Sequence, residues 1–276
     1  MKTKKYAIIG KPVTHSLSPI LHGYWYKKYG VDAEYSLLEI EENEIKEVVE
    51  KIRKKEISGI NITLPYKQKI IPFVDKLSVE ATESNSINTV YLNSKNEVVG
   101  DNTDIFGFQA GYLKEVVDPS NKNQKTLVLG AGGVAPSIIV ALLKSNLKNI
   151  SLANRTQNKA ILLKKSFDNL NIMNWDNIQN QVSDFDIIIN ATSLGLKGRE
   201  DFSFDLNNFK KKMVYIDTIY NPSETKMIKF LKLNNIQTFN GLGMFMHQGQ
   251  KSFYLWNKIN PEINDELISS LVKNIK

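Results

Sequence analysis

The chain has no cysteine among its 276 residues. It therefore carries no disulfide and no thiol nucleophile. Histidine is almost as scarce, at three. Thiolate or imidazole metal sites have little to be built from, and no metal is expected. No apolar run approaches the roughly 20 residues of a membrane-spanning helix. The first residues, Met1-Lys2-Thr3-Lys4-Lys5, are followed only by the short apolar pair Ile8-Ile9 before Gly-Lys-Pro. No secretory leader is expected. These absences point to a soluble cytoplasmic protein with no membrane partner.

The net charge is +7, carried mostly by lysines scattered among asparagine and isoleucine. The densest runs, Lys51 to Lys55 and Lys210 to Lys212, read as solvated surfaces. An aromatic-lined basic stripe, the mark of a nucleic-acid binder, is missing. No nucleic-acid partner is expected. A positive field also suits an anionic small-molecule substrate and a phosphorylated cofactor.

What is present is organised around Thr126 to Ser137. Thr126-Leu127-Val128-Leu129 reads as a buried parallel strand. Gly130-Ala131-Gly132-Gly133 and Val134 follow, then a small-residue helix to Leu143 with Pro136 in its first turn. In a strand–glycine turn–helix unit, backbone N–H groups approach a pyrophosphate at the positive end of the helix. A second strand, Ile150 to Ala153, arrives about 20 residues on, where a dinucleotide fold places its ribose-reading residue. That position holds Asn154, followed by Arg155, Thr156 and, one turn later, Lys159. An acid there would accept a ribose hydroxyl. An amide, a guanidinium and a hydroxyl suit a 2′-phosphate, so the cofactor is read as NADP. The competing reading is a helix N-cap, Asn154 or Thr156, beside two solvated cations.

Taken in order, the chain opens with a strand at Tyr6 to Ile9. Ser18 is a natural N-cap and Pro19 a natural first residue for a helix running to Gly30. A strand at 34–38, a helix at 43–55, a strand at 60–64 and a helix at 66–74 follow. Paired strands come at 87–91 and 97–100, and a long helix at 103–116 leads out. Further strands are expected at 185–190, 213–217 and 237–240, with helices at 160–167 and 225–233. From Met244 the chain is helical again. The expected fold is α/β in two domains: residues 1–104 with 241–276, and a Rossmann-like dinucleotide domain of residues 105–240. The C-terminal helical segment returns to the first domain.

Polar residues cluster at strand ends and in loops, where α/β sites are built. They are Ser16 and Ser18, then Asn61, Thr63 and Lys67, then Asn88-Thr89, then Asp101-Asn102-Thr103-Asp104. Such a set reads a small polyhydroxylated molecule better than an apolar one. Hydride transfer between a nicotinamide and a secondary alcohol needs one proton handed to or from the oxygen. Lys67 and Asp104 are the plausible pair within this set. Singly, each residue also has an ordinary reading: a surface lysine, an acid in a first helical turn, a cap.

These stretches resemble the shikimate dehydrogenase family. The matching pieces are Gly10 to Pro19, Gly59 to Lys67, Ile87-Asn88-Thr89, Gly100 to Asp104, Gly130 to Gly133, Asn154 to Thr156, Asn190 to Gly195 and Gly241 to Gln248. They span nearly the whole chain in the family's order. The resemblance implies reduction of 3-dehydroshikimate to shikimate with NADPH, a step of aromatic amino acid and chorismate biosynthesis. It implies that Lys67 and Asp104 are the catalytic pair and that Ser16 and Ser18 hold the substrate carboxylate, with Tyr220 closing on it. Asn61, Thr63, Asn88 and Gln248 would bind its hydroxyls. Gly130 to Val134 would cradle the pyrophosphate, and Asn154, Arg155 and Thr156 the 2′-phosphate. Thr192, Thr218 and Gly241 would lie near the nicotinamide. The chain departs from the family pattern at Gly23, at Asn85-Ser86 and at Gly249-Gln250, the last at some cost in helix propensity. Three other readings remain: a quinate/shikimate dehydrogenase of broader substrate or NAD use, a non-catalytic dinucleotide-binding regulator, and, for the assembly, a monomer or a homodimer.

Overall fold

The computed structural model describes residues 3–121, 123–203 and 208–275. The chain divides into two compact units, Met1–Gly107 with Met246–Asn274, and Phe108–Phe245. Among the described residues each unit holds a six-stranded sheet.

The first unit begins with β1 (Lys4–Gly10), α1 (Ser18–Tyr29), β2 (Ala33–Glu39), α2 (Ile45–Arg53) and β3 (Gly59–Ile62). It continues with β4 (Lys76–Leu77), α3 (Val79–Ser84), β5 (Thr89–Leu92) and β6 (Val98–Asp101). The strand order is β2-β1-β3-β5-β6-β4. Strands β1, β2 and β3 are parallel, and β5 and β6 form an antiparallel hairpin beside them. Helix α2 buries Ile45, Val48, Val49 and Ile52, one face at helical spacing, against Ile9, Ile60 and Ile62 of the sheet. The register sets Asn61 beside Thr89, and Thr89 beside Asp101. Three polar side chains therefore lie in one row at the end of an otherwise apolar sheet.

Two expectations fail here. Ser18 does not cap α1: Leu17 holds the cap position and no side chain bonds there. The segment 66–74 is not an α-helix. It runs as turns, with one short 3₁₀ turn at Ile71–Phe73. Pro72 lacks the N–H that a continuing helix needs. Helix α3, capped by Ser78 through the Ala81 N–H, was not foreseen. It ends at Asn85 in the left-handed region, φ 46°, a conformation asparagine tolerates.

The chain leaves along α4 (Asp104–Phe108), one π-helical turn at Gln109–Leu113, and α5 (Lys114–Val116). The second unit then alternates β7 (Lys125–Leu129), α6 (Ala135–Lys144), β8 (Asn149–Ala153), α7 (Gln157–Lys164), β9 (Leu170–Met173) and α8 (Ile178–Gln181). It ends with β10 (Ile187–Asn190), β11 (Val214–Asp217), α9 (Lys226–Leu233) and β12 (Gln237–Phe239). All its strands are parallel, in the order β12-β11-β10-β7-β8-β9. This is the doubly wound arrangement the glycine turn implied. Strand β9 was not foreseen.

Helix α10 (Leu242–Asn257) returns the chain to the first unit from Met246 onward, and α11 (Asp265–Lys273), also unforeseen, packs on α1. Gly249 belongs to this docking. A Cβ there would run into the Leu21 side chain and lie 3.7 Å from Trp25. The lost helix propensity at Gly249 therefore accompanies a close helix–helix approach.

Candidate active site

In the first unit, Lys67 sits in the turn after β3, and its carbonyl accepts from the Ile87 N–H at 2.8 Å. Its ammonium donates to Asp104 Oδ2 at 2.5 Å. Both side chains are largely buried, at 11% and 8% exposed. The other carboxylate oxygen, Asp104 Oδ1, accepts from Asn88 Nδ2 at 2.9 Å. Asn88 is fixed in turn, because its Oδ1 accepts the Thr103 N–H at 2.7 Å. The Asp104 N–H donates to Asn102 Oδ1 at 3.0 Å. The lysine is thus oriented by a carboxylate that two asparagines hold. Of the three ammonium N–H donors, one is committed to Asp104.

Ser16 donates to Ser18 Oγ at 3.0 Å and accepts the Ser18 N–H at 3.2 Å. Relieved of capping, both hydroxyls are grouped in the loop after β1. Thr63 continues β3, its N–H donating to the Ile9 carbonyl at 2.9 Å, and its methyl group packs at Gly10. Tyr35 of β2 donates to Asn61 Oδ1 at 2.8 Å, and its hydroxyl also bonds the Ser18 side chain. Sequence reasoning missed Tyr35, which joins the serine pair to Asn61. Its phenol is pushed upward by burial and stays neutral. Behind it stacks His22, ring centroids 4.6 Å apart, kept neutral by burial with its pKa pushed down to about 3. Gln248 lies on α10, and its carbonyl accepts from the Ser252 hydroxyl at 3.1 Å.

In the second unit, Gly130 takes φ +104°, and a Cβ there would meet the Thr192 methyl at 2.7 Å and the Ala191 carbonyl at 2.9 Å. Only glycine allows this turn. Its N–H donates to the Ala153 carbonyl at 2.7 Å. The Ala131 N–H donates to Asn154 Oδ1 at 2.9 Å, and Asn154 Nδ2 donates to the Thr156 carbonyl at 2.8 Å. Asn154 therefore braces the glycine loop. Gly132 is exposed, Gly133 and Val134 are half-buried, and Val134 is the cap residue of α6. Arg155, Thr156 and Lys159 are exposed at the head of α7. Thr156 occupies the α7 cap position without a side-chain cap bond. Arg155 pairs with Glu200 at 2.8 Å, both well exposed.

Two polar residues to which sequence reasoning gave no role, Asn190 and Asp217, tie the remaining loops together. Asn190 Oδ1 accepts the Thr192 N–H and hydroxyl at 3.0 and 2.7 Å, and the Asn190 carbonyl accepts the Thr218 N–H at 3.0 Å. Asn190 Nδ2 donates to Asp217 Oδ1 at 3.0 Å. Asp217 also accepts the Ile219 N–H at 3.0 Å and the Thr225 hydroxyl at 2.9 Å. Burial pushes the Asp217 carboxyl up to about 6, against the pull of these donors. The visible signal was a polar residue ending each of two apolar strands. Tyr220 packs on Phe245, centroids 4.8 Å apart. The Gly241 N–H donates to the Ile219 carbonyl at 2.8 Å.

Two family models match the chain: the shikimate dehydrogenase substrate binding domain over residues 8–90, and shikimate/quinate 5-dehydrogenase over residues 113–239. The chain belongs to the shikimate dehydrogenase family. A relative from Pelagibacter ubique, an NADP(+) shikimate dehydrogenase, is 46% identical over 97% of this chain and 98% of its own length. The crystal structure of shikimate dehydrogenase from Aquifex aeolicus superposes with a TM-score of 0.87 at 34% identity, covering 98% of this chain and 97% of that one. A shikimate dehydrogenase crystallised with NADP+ gives 0.87 at 30%, covering 99% and 96%. Ser16, Ser18, Asn61, Thr63, Lys67 and Asn88 fall within the first family match. Gly130 to Tyr220 fall within the second, while Asp104, Gly241 and Gln248 lie outside both.

Proposed function

We propose that this chain is an NADP-dependent shikimate dehydrogenase, reducing 3-dehydroshikimate to shikimate. The observation that carries this reading is the buried Lys67–Asp104 pair at 2.5 Å, set among hydroxyls and amides. It is a proton-handling group inside a site suited to a polyhydroxylated ring. The site residues keep the roles their placement supports. Lys67 and Asp104 are catalytic. Ser16, Ser18 and Tyr220 serve the substrate carboxylate, and Asn61, Thr63, Asn88 and Gln248 its hydroxyls. Gly130, Ala131, Gly132, Gly133 and Val134 cradle a pyrophosphate, while Thr192, Thr218 and Gly241 shape the nicotinamide end. Asn154, Arg155, Thr156 and Lys159 meet the 2′-phosphate. The glycine turn, which a Cβ would fill, and the exposed guanidinium at the head of α7 fit a phosphorylated dinucleotide.

NADPH supplies the hydride when bound. Lys67 Nζ delivers a proton to the carbonyl oxygen as it becomes a hydroxyl. In the reverse direction it takes that proton back. Asp104 keeps the ammonium aimed, and Asn88 keeps Asp104 aimed. The seryl hydroxyls, donating to the carboxylate, fix which face of the ring meets the lysine. Among the described residues no helix is long and apolar enough to cross a membrane. The reading places the enzyme in the cytoplasm, as a monomer or homodimer acting on a small molecule. The test is absorbance at the nicotinamide band with shikimate or quinate and NADP or NAD. Reduction is expected with shikimate and NADP. Turnover of quinate with NAD alone would overturn the reading.

A further inference from the structure

Behind Asn61 three hydroxyls meet that no step above uses: Thr89, Thr103 and Ser252. All are fully buried. Ser252 Oγ lies 2.7 Å from Thr89 Oγ1, 3.2 Å from Thr103 Oγ1 and 3.0 Å from Asn61 Nδ2. Thr103 Oγ1 accepts from Asn88 Nδ2 at 2.9 Å. The cluster therefore bridges Asn61 to the asparagine that holds Asp104.

Proton accounting fixes the Asn61 amide. Its nitrogen faces the Asn88 carbonyl at 3.2 Å as well as the Thr89 and Ser252 hydroxyls. A carbonyl can only accept, so that side must be the nitrogen. Two N–H protons then face three acceptors, and the donor capacity of Asn61 is consumed inside the protein. Asn61 Oδ1, turned to Tyr35, accepts one proton and keeps one lone pair. A serine in mid-helix ordinarily bonds only the carbonyl one turn back. Ser252 does bond the Gln248 carbonyl, yet its oxygen also faces Asn61 and two threonines.

We propose that Ser252 is a positioning residue for substrate recognition. Its hydroxyl holds the Asn61 amide nitrogen-inward, so that Asn61 meets a ring hydroxyl of the substrate as an acceptor only. This rests on the shikimate reading above. Without the Ser252 oxygen the amide loses one of its anchors, and the hydroxyl it reads is held less well.

The experiment compares the full-length parent with Ser252→Ala and Ser252→Cys. It measures shikimate and NADP dissociation constants by titration, and kcat and KM by turnover. The shikimate dissociation constant and KM are expected to rise about tenfold in Ser252→Ala, the worth of a hydrogen bond in a buried site. The rise should be smaller in Ser252→Cys, whose thiol is a weak partner. Affinity for NADP should stay at the parent value, and kcat within a few-fold. Shikimate analogues each lacking one ring hydroxyl complete the cycle. With one of them, the difference between parent and variant should vanish. An equal loss with every analogue, or a loss in kcat alone with unchanged shikimate binding, overturns the proposal. So does unchanged shikimate binding in both variants of a parent that binds it. A parent that binds no shikimate overturns the functional reading, and this proposal with it.

Discussion

Replacing Lys67 by alanine separates chemistry from folding, because the structure sets the two costs apart. Among the described residues the Asp104 carboxylate has one ionic partner, Lys67, and both side chains are about nine-tenths buried. Removing the ammonium leaves a buried carboxylate with the neutral Asn88 amide. Breaking a buried pair in this way costs about 3–5 kcal/mol of stability. Separately, a positioned proton donor is worth roughly 10²–10⁴-fold in rate. Lys67→Ala should therefore lower both the melting temperature and kcat, with KM for shikimate changed far less. The double variant Lys67→Ala with Asp104→Asn removes the stranded charge. It should regain most of the melting temperature and none of the rate. Its kcat should also fall by less than the product of the single losses, since the two groups act as one unit. Lys67→Arg should not rescue, because a guanidinium stays protonated and presents a planar fork. The assays are steady-state kinetics at saturating NADP and thermal denaturation of the same samples. A steep rise in KM with kcat within a few-fold of the parent would refute the catalytic role and leave Lys67 as a tether.

Arg155→Ala should weaken NADP about tenfold and leave NAD nearly unchanged, since only the phosphate uses the charge; equal losses with both cofactors would sink the 2′-phosphate assignment. Ser16→Ala should weaken shikimate by roughly 1–3 kcal/mol, a carboxylate left short of a donor; equal binding of the methyl ester by the parent would show that the serines serve something else. Asp217 gives a pH dependence whose sign follows from its raised pKa of about 6. The native state prefers the proton, so its contribution to stability is greatest near pH 4 and is lost as pH rises through 6. The loss is up to about 3 kcal/mol. The buried tyrosines nearby, Tyr112 and Tyr215, are pushed upward and stay neutral over this range. Asp217→Asn should flatten the melting temperature between about pH 4 and 6; a variant as pH-sensitive as the parent would remove Asp217 as the cause.

The second unit was the more legible, because strand, glycine turn and helix are local signals. Apolar runs such as Ile187 to Ile189 in a parallel sheet leave no ambiguity of face. The strand it hid was β9, whose Leu170 and Met173 are buried while Asn171 is exposed, too short a pattern to stand out. In the first unit, the expected helix over 66–74 rested on Pro65 as a starter and overlooked Pro72 as a breaker. Ser18 looked like a cap because serine before proline usually is one. The loop instead turns its hydroxyl to Ser16. Tyr35 could not be read, since its role depends on β2 lying beside β1 and on Asn61 lying one strand further in. The pairing of Lys67 with Asp104 was legible only as chemistry. No periodicity joins residues 37 apart in sequence.

The chain contains its own control for what Lys67 is there to do. Asp217 ends strand β11 and Asp104 opens helix α4 just after β6; both are buried, and both accept a hydrogen bond from an asparagine amide. Among the described residues the groups bonded to Asp217 are neutral, among them the Asn190 amide, the Ile219 N–H and the Thr225 hydroxyl. It organises two loops, and among the described residues no cation pairs with it. A buried carboxylate whose task is to brace loops is thus accommodated in this fold without a lysine. At Asp104 the chain places an ammonium on the carboxylate, at the cost of desolvating a second charge. Folding alone does not require that ammonium, since the Asp217 arrangement shows the alternative. The proton transfer proposed for Lys67 would use that ammonium, and a neutral donor set such as the one around Asp217 offers no equivalent.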